Sequence, residues 1–303
     1  MFLKEELLPE EKRYLIRYLN CNYDYCYLDA MHNQLINSST EVIVTGSSHG
    51  LDAINTERMP VKAVNLSMHT QDLYFDLLNV KKAMQNNCKM KVCVATIGYY
   101  SLHYDLSRTS YNYRCYEVYK PLLNDIHNAA FNDVGNRFVY PGYEERDFYC
   151  SYFGNYKNYY GPAVLREHTN GEIRKKGGWA NLSDEQRLII AKERAEKHNK
   201  HKKYIDTYKE NCEVLCEYAK LCHENNIRFI IVVMPFSHEY LQYIDKAYKE
   251  LILEQLNMIP YEIEFADLNE ADCYSSEDFV DADHCSDIGA EKATKLLTQI
   301  ICG

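Results

Sequence analysis

Absences narrow this sequence before any motif does. In its 303 residues there is no apolar run of about 18, the minimum for a membrane-spanning helix, so no stable membrane insertion is expected. Basic residues do not dominate: 34 Lys and Arg face 44 Asp and Glu, a net charge of −10. Such a chain has no global positive field with which to hold nucleic acid or an anionic membrane surface. There is no repeat and no low-complexity linker. Tryptophan is nearly missing, one against 28 tyrosines, so the aromatic content is flat apolar faces that carry a hydroxyl. That suits a sugar surface as well as half-buried core positions. The spacing Cys212-x3-Cys216-x5-Cys222 fits no common zinc pattern. The turn Gly46-Ser-Ser-His-Gly50 lacks the lysine and the glycine spacing of a phosphate-binding loop. The opening segment MFLKEELLPEEKRYLIRYLN is too charged for a signal peptide. The twelve cysteines are therefore expected as reduced thiols of a cytoplasmic chain, most of them small core residues.

What is present is a rhythm. A helix-like segment over about 10–35 is followed by strand candidates at 41–45, 62–66 and 89–97, with helical stretches between the later pairs. That alternation predicts βαβ units and a parallel sheet. It breaks at about 105–203, where Tyr, Asn and Gly dominate, as in YCSYFGNYKNYYGPAV. A hundred such residues are too many for a connection, and an inserted lid or subdomain with some helix of its own is expected. Ser183-Asp-Glu-Gln186 is a capping-box pattern opening a long polar helix, and EKHNKHKK on it reads as a solvated face. Alternation resumes with a helix over 204–223, a buried strand over 228–234, a helix over 238–256, a short strand over 261–268 and a last helix over 286–301.

One place in this rhythm carries chemistry. The β-branched run of the first strand stops at Gly46, and Ser47, Ser48 and His49 follow at once. Open α/β sheets bind their ligands at the carboxyl ends of their strands. A serine there needs a base, and EDFVDADHCSD just before the last helix offers one. Asp281 and His284 are three apart in a turn, close enough for the carboxylate to accept the imidazole N–H and leave the other nitrogen for a serine.

A serine in a G-x-S turn after the first strand, with D-x-x-H ahead of the C-terminal helix, resembles the SGNH (GDSL-type) hydrolases and acyltransferases. The resemblance implies a single domain over 1–303 with a three-layer α/β/α, flavodoxin-like fold. Its five parallel strands would run in the order 2-1-3-4-5, interrupted by the large insertion. It implies Ser48 as nucleophile, His284 as base and Asp281 as its partner, with Ser47 in place of the family's aspartate. VNLSMHTQD lines up with the family's N-x-G-x-x-G as Asn65, Ser67 and Thr70, with Thr70 where a glycine usually lends its N–H. IGYYS lines up with G-x-N-D from Gly98, which puts Tyr100 where an oxyanion-binding asparagine is usual. Asn65, Gly98, Thr70 and Tyr100 are thus the oxyanion and substrate positions. GSSH and RFIIVVMPFSHEY look closest to the branch that modifies bacterial cell-surface glycans.

The implied activity is that of a serine esterase or O-acyltransferase on an acylated, most simply acetylated, carbohydrate or small metabolite. No metal or redox cofactor is implied, and the partner is a small-molecule or glycan acyl ester rather than nucleic acid. The lost asparagine and the Tyr-rich insertion keep open an alternative, a weak or inactive glycan-binding or assembly protein on the same fold. The oligomeric state and the choice between hydrolysis and transfer are not readable. His49 is expected to point away from its neighbour and to pack or line the rim, Asp283 to be solvated or capping, and Trp179 to be a buried anchor for the insertion. No spacing supports a metal shared by His49, His69 and His103.

Overall fold

A computed structural model of the chain describes residues 23–86, 89–129 and 178–303. The amino-terminal part of the expected first helix, 10–22, and the tyrosine-rich stretch 149–164 of the insertion lie outside the described residues. The chain forms two compact units, one of Gln34–Asp105 and Thr169–Gly303, the other of Met1–Asn33 and Leu106–His168. In the smaller unit, Asp24 of α1 (Tyr23–Leu35) pairs with Arg114 at 2.5 Å. A π-helical turn, Cys115–Tyr119, runs there into the short helix α4 (Lys120–Leu123).

The larger unit is built on a five-stranded, all-parallel sheet in the order β2-β1-β3-β4-β5 flanked by helices, the three-layer α/β architecture. Its strands are β1 (Val42–Gly46), β2 (Ala63–Asn65), β3 (Val92–Ile97), β4 (Arg228–Val233) and β5 (Glu264–Asp267). Every residue of β1 and β3 is buried, as a strand covered on both faces requires. The expected strand over 89–97 starts only at Val92, and the one over 261–268 shrinks to four residues at the sheet edge, paired on one side. Across that edge Arg228 grips Glu264 with two bonds of 2.6 and 2.7 Å.

The helices of this unit are α2 (Ser48–Ala53), α3 (Leu73–Asn86), α5 (Asp184–Asn199), α6 (Ile205–Glu224), α7 (His238–Leu241), α8 (Ala247–Met258) and α9 (Asp287–Cys302). The single helix expected over 238–256 is two, because Asp245 accepts the N–H of Ala247 and restarts the spiral. α3 packs on α6, and α9 on α2. Tyr218 of α6 pins that helix to the sheet, its hydroxyl 3.0 Å from Thr45 Oγ1 and 3.1 Å from Cys93 Sγ. The Ser183–Gln186 capping box opens α5, with both reciprocal bonds made. Trp179 is buried ahead of it, its indole N–H reaching Glu239 of α7. Cys93, Cys115, Cys212, Cys216, Cys222, Cys273, Cys285 and Cys302 are free thiols; four of these eight are buried, whereas Cys273 and Cys302 are exposed rather than core residues. Among the described residues no helix is long and apolar enough to cross a membrane.

Candidate active site

The first strand ends against its neighbour. Gly46 has φ 148°, and a Cβ there would lie 2.0 Å from Thr96 Oγ1 of β3, so only glycine lets the chain turn. Ser47 follows in extended conformation and Ser48 opens α2. Asn65 at the end of β2 fixes that helix. Its amide donates to the carbonyls of Gly50 and Ile54, and its oxygen accepts the N–H of Ser67. From the other side, Thr294 of α9 bonds Ala53 and Asn55. The Ser48 turn is thus tied to three elements far apart in sequence.

The loop before α9 is braced as closely. Asp281 Oδ1 accepts the N–H groups of Asp283 and His284 at 2.9 and 2.8 Å, an Asx turn that orients the imidazole. Phe279 bridges to Cys285, and Ser286 caps α9 through the Gly289 N–H. His284 Nδ1 then lies 3.0 Å from Asp281 Oδ2, and His284 Nε2 lies 2.9 Å from Ser48 Oγ. The three residues marked by the sequence therefore meet in one hydrogen-bonded line, at distances open to proton transfer.

A second line runs beside it. Of the two places expected for it, His49 packs inside rather than lining the rim: it is buried, with Nδ1 3.0 Å from Ser47 Oγ and Nε2 3.2 Å from Asp283 Oδ2. Its ring stacks on that of His284, with centroids 4.9 Å apart and planes 10° apart, and Phe236 closes the other side. Nor is Asp283 a solvated cap. Its side chain is 2 % exposed, and Arg194 of α5 clamps it from Nε and Nη2, at 2.9 and 2.8 Å. The helix carrying the 196–203 stretch expected as a solvated face thus brings a guanidinium to the site from just ahead of that stretch. His198, one turn on, is buried too, bonded to the Tyr240 hydroxyl and stacked 3.9 Å from the Tyr100 ring. A buried polar side chain has to find partners, and these histidines find them in each other's neighbourhood.

The charges follow from these contacts. Burial alone would lower His284, but the carboxylates of Asp283 and Asp281 outweigh it and push the imidazole up to about 10. Burial holds His49 below the ordinary histidine value despite Asp283. Asp283 shows the reverse balance. Burial would raise it, but His284, the His49 hydrogen bond and Arg194 together hold it well below the usual carboxylate range. A carboxylate only accepts, so His49 donates from Nε2 and leaves Nδ1 to accept the Ser47 hydroxyl.

The remaining sequence positions divide. Asn65 and Gly98 have their polar groups taken up within the chain: the Asn65 amide is committed as above, and the Gly98 N–H donates to Ser101 Oγ. Gly98 matters because a Cβ there would press on the Tyr100 ring at 3.2 Å. The Tyr100 phenol, raised by burial and then by Asp283, keeps its proton and stays a donor. Thr70 has φ 60°, the left-handed conformation that glycine adopts freely. Replacing it by glycine should relieve about 1–2 kcal/mol of that conformation, offset by about half in the unfolded chain. Thr70→Gly is therefore expected to raise the melting temperature by about 1–3 °C, measured by calorimetry. An unchanged or lower value would show that the turn holds threonine without strain.

Sequence reasoning missed Ser47 as a partner, His49, Asp283, Arg194 and His198. A signal existed for the last: Ala191, Ala195 and His198 are the buried residues of α5, spaced four and three apart. The described acidic and histidine side chains also bring His49, Asp283 and His284 close enough together to suit a metal ion, a different set from His49, His69 and His103. Searches of protein families and of curated proteins find no match. Among solved structures, the chain matches one from Streptococcus pneumonia provisionally described as a platelet activating factor, with a TM-score of 0.43 and 11 % identity over 91 % of each chain.

Proposed function

We propose that the chain is a serine hydrolase or acyltransferase of the SGNH type. Ser48 attacks an acyl ester, His284 takes and returns the proton, and Asp281 holds the imidazole. The observation that carries this is the line Ser48 Oγ to His284 Nε2 at 2.9 Å and His284 Nδ1 to Asp281 at 3.0 Å. It sits at the carboxyl end of β1, where such sheets bind ligands. The substrate in this reading is an acylated carbohydrate or small metabolite, and water or a sugar hydroxyl resolves the acyl-enzyme. The backbone N–H groups of Ser48 and Thr70 and the Tyr100 hydroxyl are the candidate oxyanion donors.

The state of His284 sets the pH dependence. A base has to be neutral to accept a proton, and an imidazole held up to about 10 is charged at neutral pH. Hydrolysis of p-nitrophenyl acetate is therefore expected to rise nearly tenfold per pH unit through the neutral range and to level near pH 10. Corrected for the spontaneous reaction, a plateau reached below pH 7 would refute this. The same charge favours the second reading, a binding or assembly protein of little turnover, and complete inactivity across the range would establish that one instead.

Tyr100→Phe tests the doubtful donor. Loss of one oxyanion donor lowers kcat by about 10²–10³. A drop of that size with KM little changed would assign the phenol to the oxyanion, whereas a change under about threefold would leave it a packing residue against His198.

A further inference from the structure

The second line of side chains has the composition of the first and is used by nothing above. Ser47 Oγ, His49 and Asp283 form an unbroken Ser–His–Asp chain with links of 3.0 and 3.2 Å. It lies face to face with the line through His284. We infer that Ser47 is a second acylatable serine, served by His49 as base and Asp283 as its carboxylate, and that the site holds two parallel nucleophiles for the same class of acyl ester. The inference builds on reading this site as one for acyl esters.

Three observations support it. Ser47 is the N-cap of α2, yet its side chain makes no capping bond, whereas the N-cap serines Ser183, Ser237 and Ser286 all cap their helices. Serine at an N-cap ordinarily caps its helix, so turning the hydroxyl to His49 is a departure from what this position usually does. His49, for its part, is neutral and presents Nδ1 as an acceptor, the form a base needs. Finally, Asp283 stays ionised in a buried place because His284, the His49 hydrogen bond and the Arg194 clamp all favour its charge, which keeps a negative charge ready for the imidazolium that forms when His49 takes a proton.

The step balances without a further reactant. Ser47 Oγ bonds the acyl carbon as its proton passes to His49 Nδ1. The ester C–O bond breaks, the alcohol leaves with that proton, and His49 returns to neutral over an acylated Ser47. The ring nitrogens are used in the opposite sense to those of His284, which changes the orientation of the imidazole and not its chemistry.

The test uses a fluorophosphonate probe on the full chain, with the modified serine located by peptide mass mapping. The wild type should be labelled on Ser48. Ser48→Ala, and Ser48→Gly as a second version of the same deletion, should still take label, now on Ser47. Adding Ser47→Ala should remove it. Adding His49→Gln instead should slow labelling by about 10²-fold, the share of a general base. Circular dichroism shows that each variant is folded. Label on wild-type Ser48 with none on Ser47 in the folded Ser48 variants would overturn the inference and leave the proposed function standing. Label on Ser47 with none on wild-type Ser48 would do the opposite. No label on either serine would sink both.

Discussion

In a Ser47→Ala background, Ser48→Ala should lower turnover of a short acyl ester by roughly 10⁴–10⁶, the loss seen when a serine triad loses its nucleophile. The size follows from how much converges on that one oxygen. Ser48 Oγ lies 2.9 Å from His284 Nε2, and Asp281 fixes the imidazole both through Nδ1 and through the loop backbone. His284→Ala should be about as severe, because the two residues act as a unit and either deletion stops the same step. Asp281→Asn should be milder in structure than in rate: the turn can persist while the wrong tautomer is favoured. Initial rates on p-nitrophenyl acetate and on an acetylated sugar decide the matter. Equal rates with and without Ser48→Ala in that background, whether high or nil, would remove Ser48 from the mechanism.

The second large effect is expected far from the serine in sequence. Arg194→Ala deletes the cation over Asp283, whose side chain is 2 % exposed, while Arg194 itself is 37 % exposed. Breaking a buried pair costs about 3–5 kcal/mol, and water around the guanidinium places this one at or below the low end, about 2–3 kcal/mol. For a domain of this size that is a fall of on the order of 5–10 °C in melting temperature. The stranded carboxylate should also disturb both imidazoles it touches, so activity should fall along with stability. Arg194→Ala combined with Asp283→Asn should recover a good part of the melting temperature, since it removes the uncompensated charge. If the double variant is no more stable than Arg194→Ala alone, the damage lies in packing of α5 and not in the charge.

These two residues also mark how far the sequence could be read. The buried runs of β1, β3 and β4 are β-branched and bounded by glycine, charge or proline, so the strands declare themselves by local pattern. Ser48 and the Asp281–His284 pair declare themselves by position, one after a strand and one within a single turn. Arg194 carries no such mark. It is one of 34 basic residues, on a helix of 16 residues of which half are charged, and only the tertiary fold shows that it reaches a buried carboxylate. Asp283 was ambiguous for a related reason: two carboxylates flank one alanine in DADH, and the backbone path of the turn decides which faces inward. His49 looked peripheral because adjacent side chains usually diverge. In a helix of six residues starting at Ser48, they instead lie side by side with the loop of α9.

The order of the sheet has a consequence for how the molecule comes to life after synthesis or denaturation. β3 pairs with β4 although the chain between them runs from residue 97 to 228, whereas β1 reaches β3 across only 46 to 92. Closing the longer span costs about 1 kcal/mol more in chain entropy, so this joint is the natural laggard of assembly. Ser48 belongs to the half of the sheet on one side of it, and His284 to the half on the other. The site is therefore expected to assemble late: refolding molecules should regain helix and strand signals first, and Ser48 should meet His284 only when the slow seam has closed.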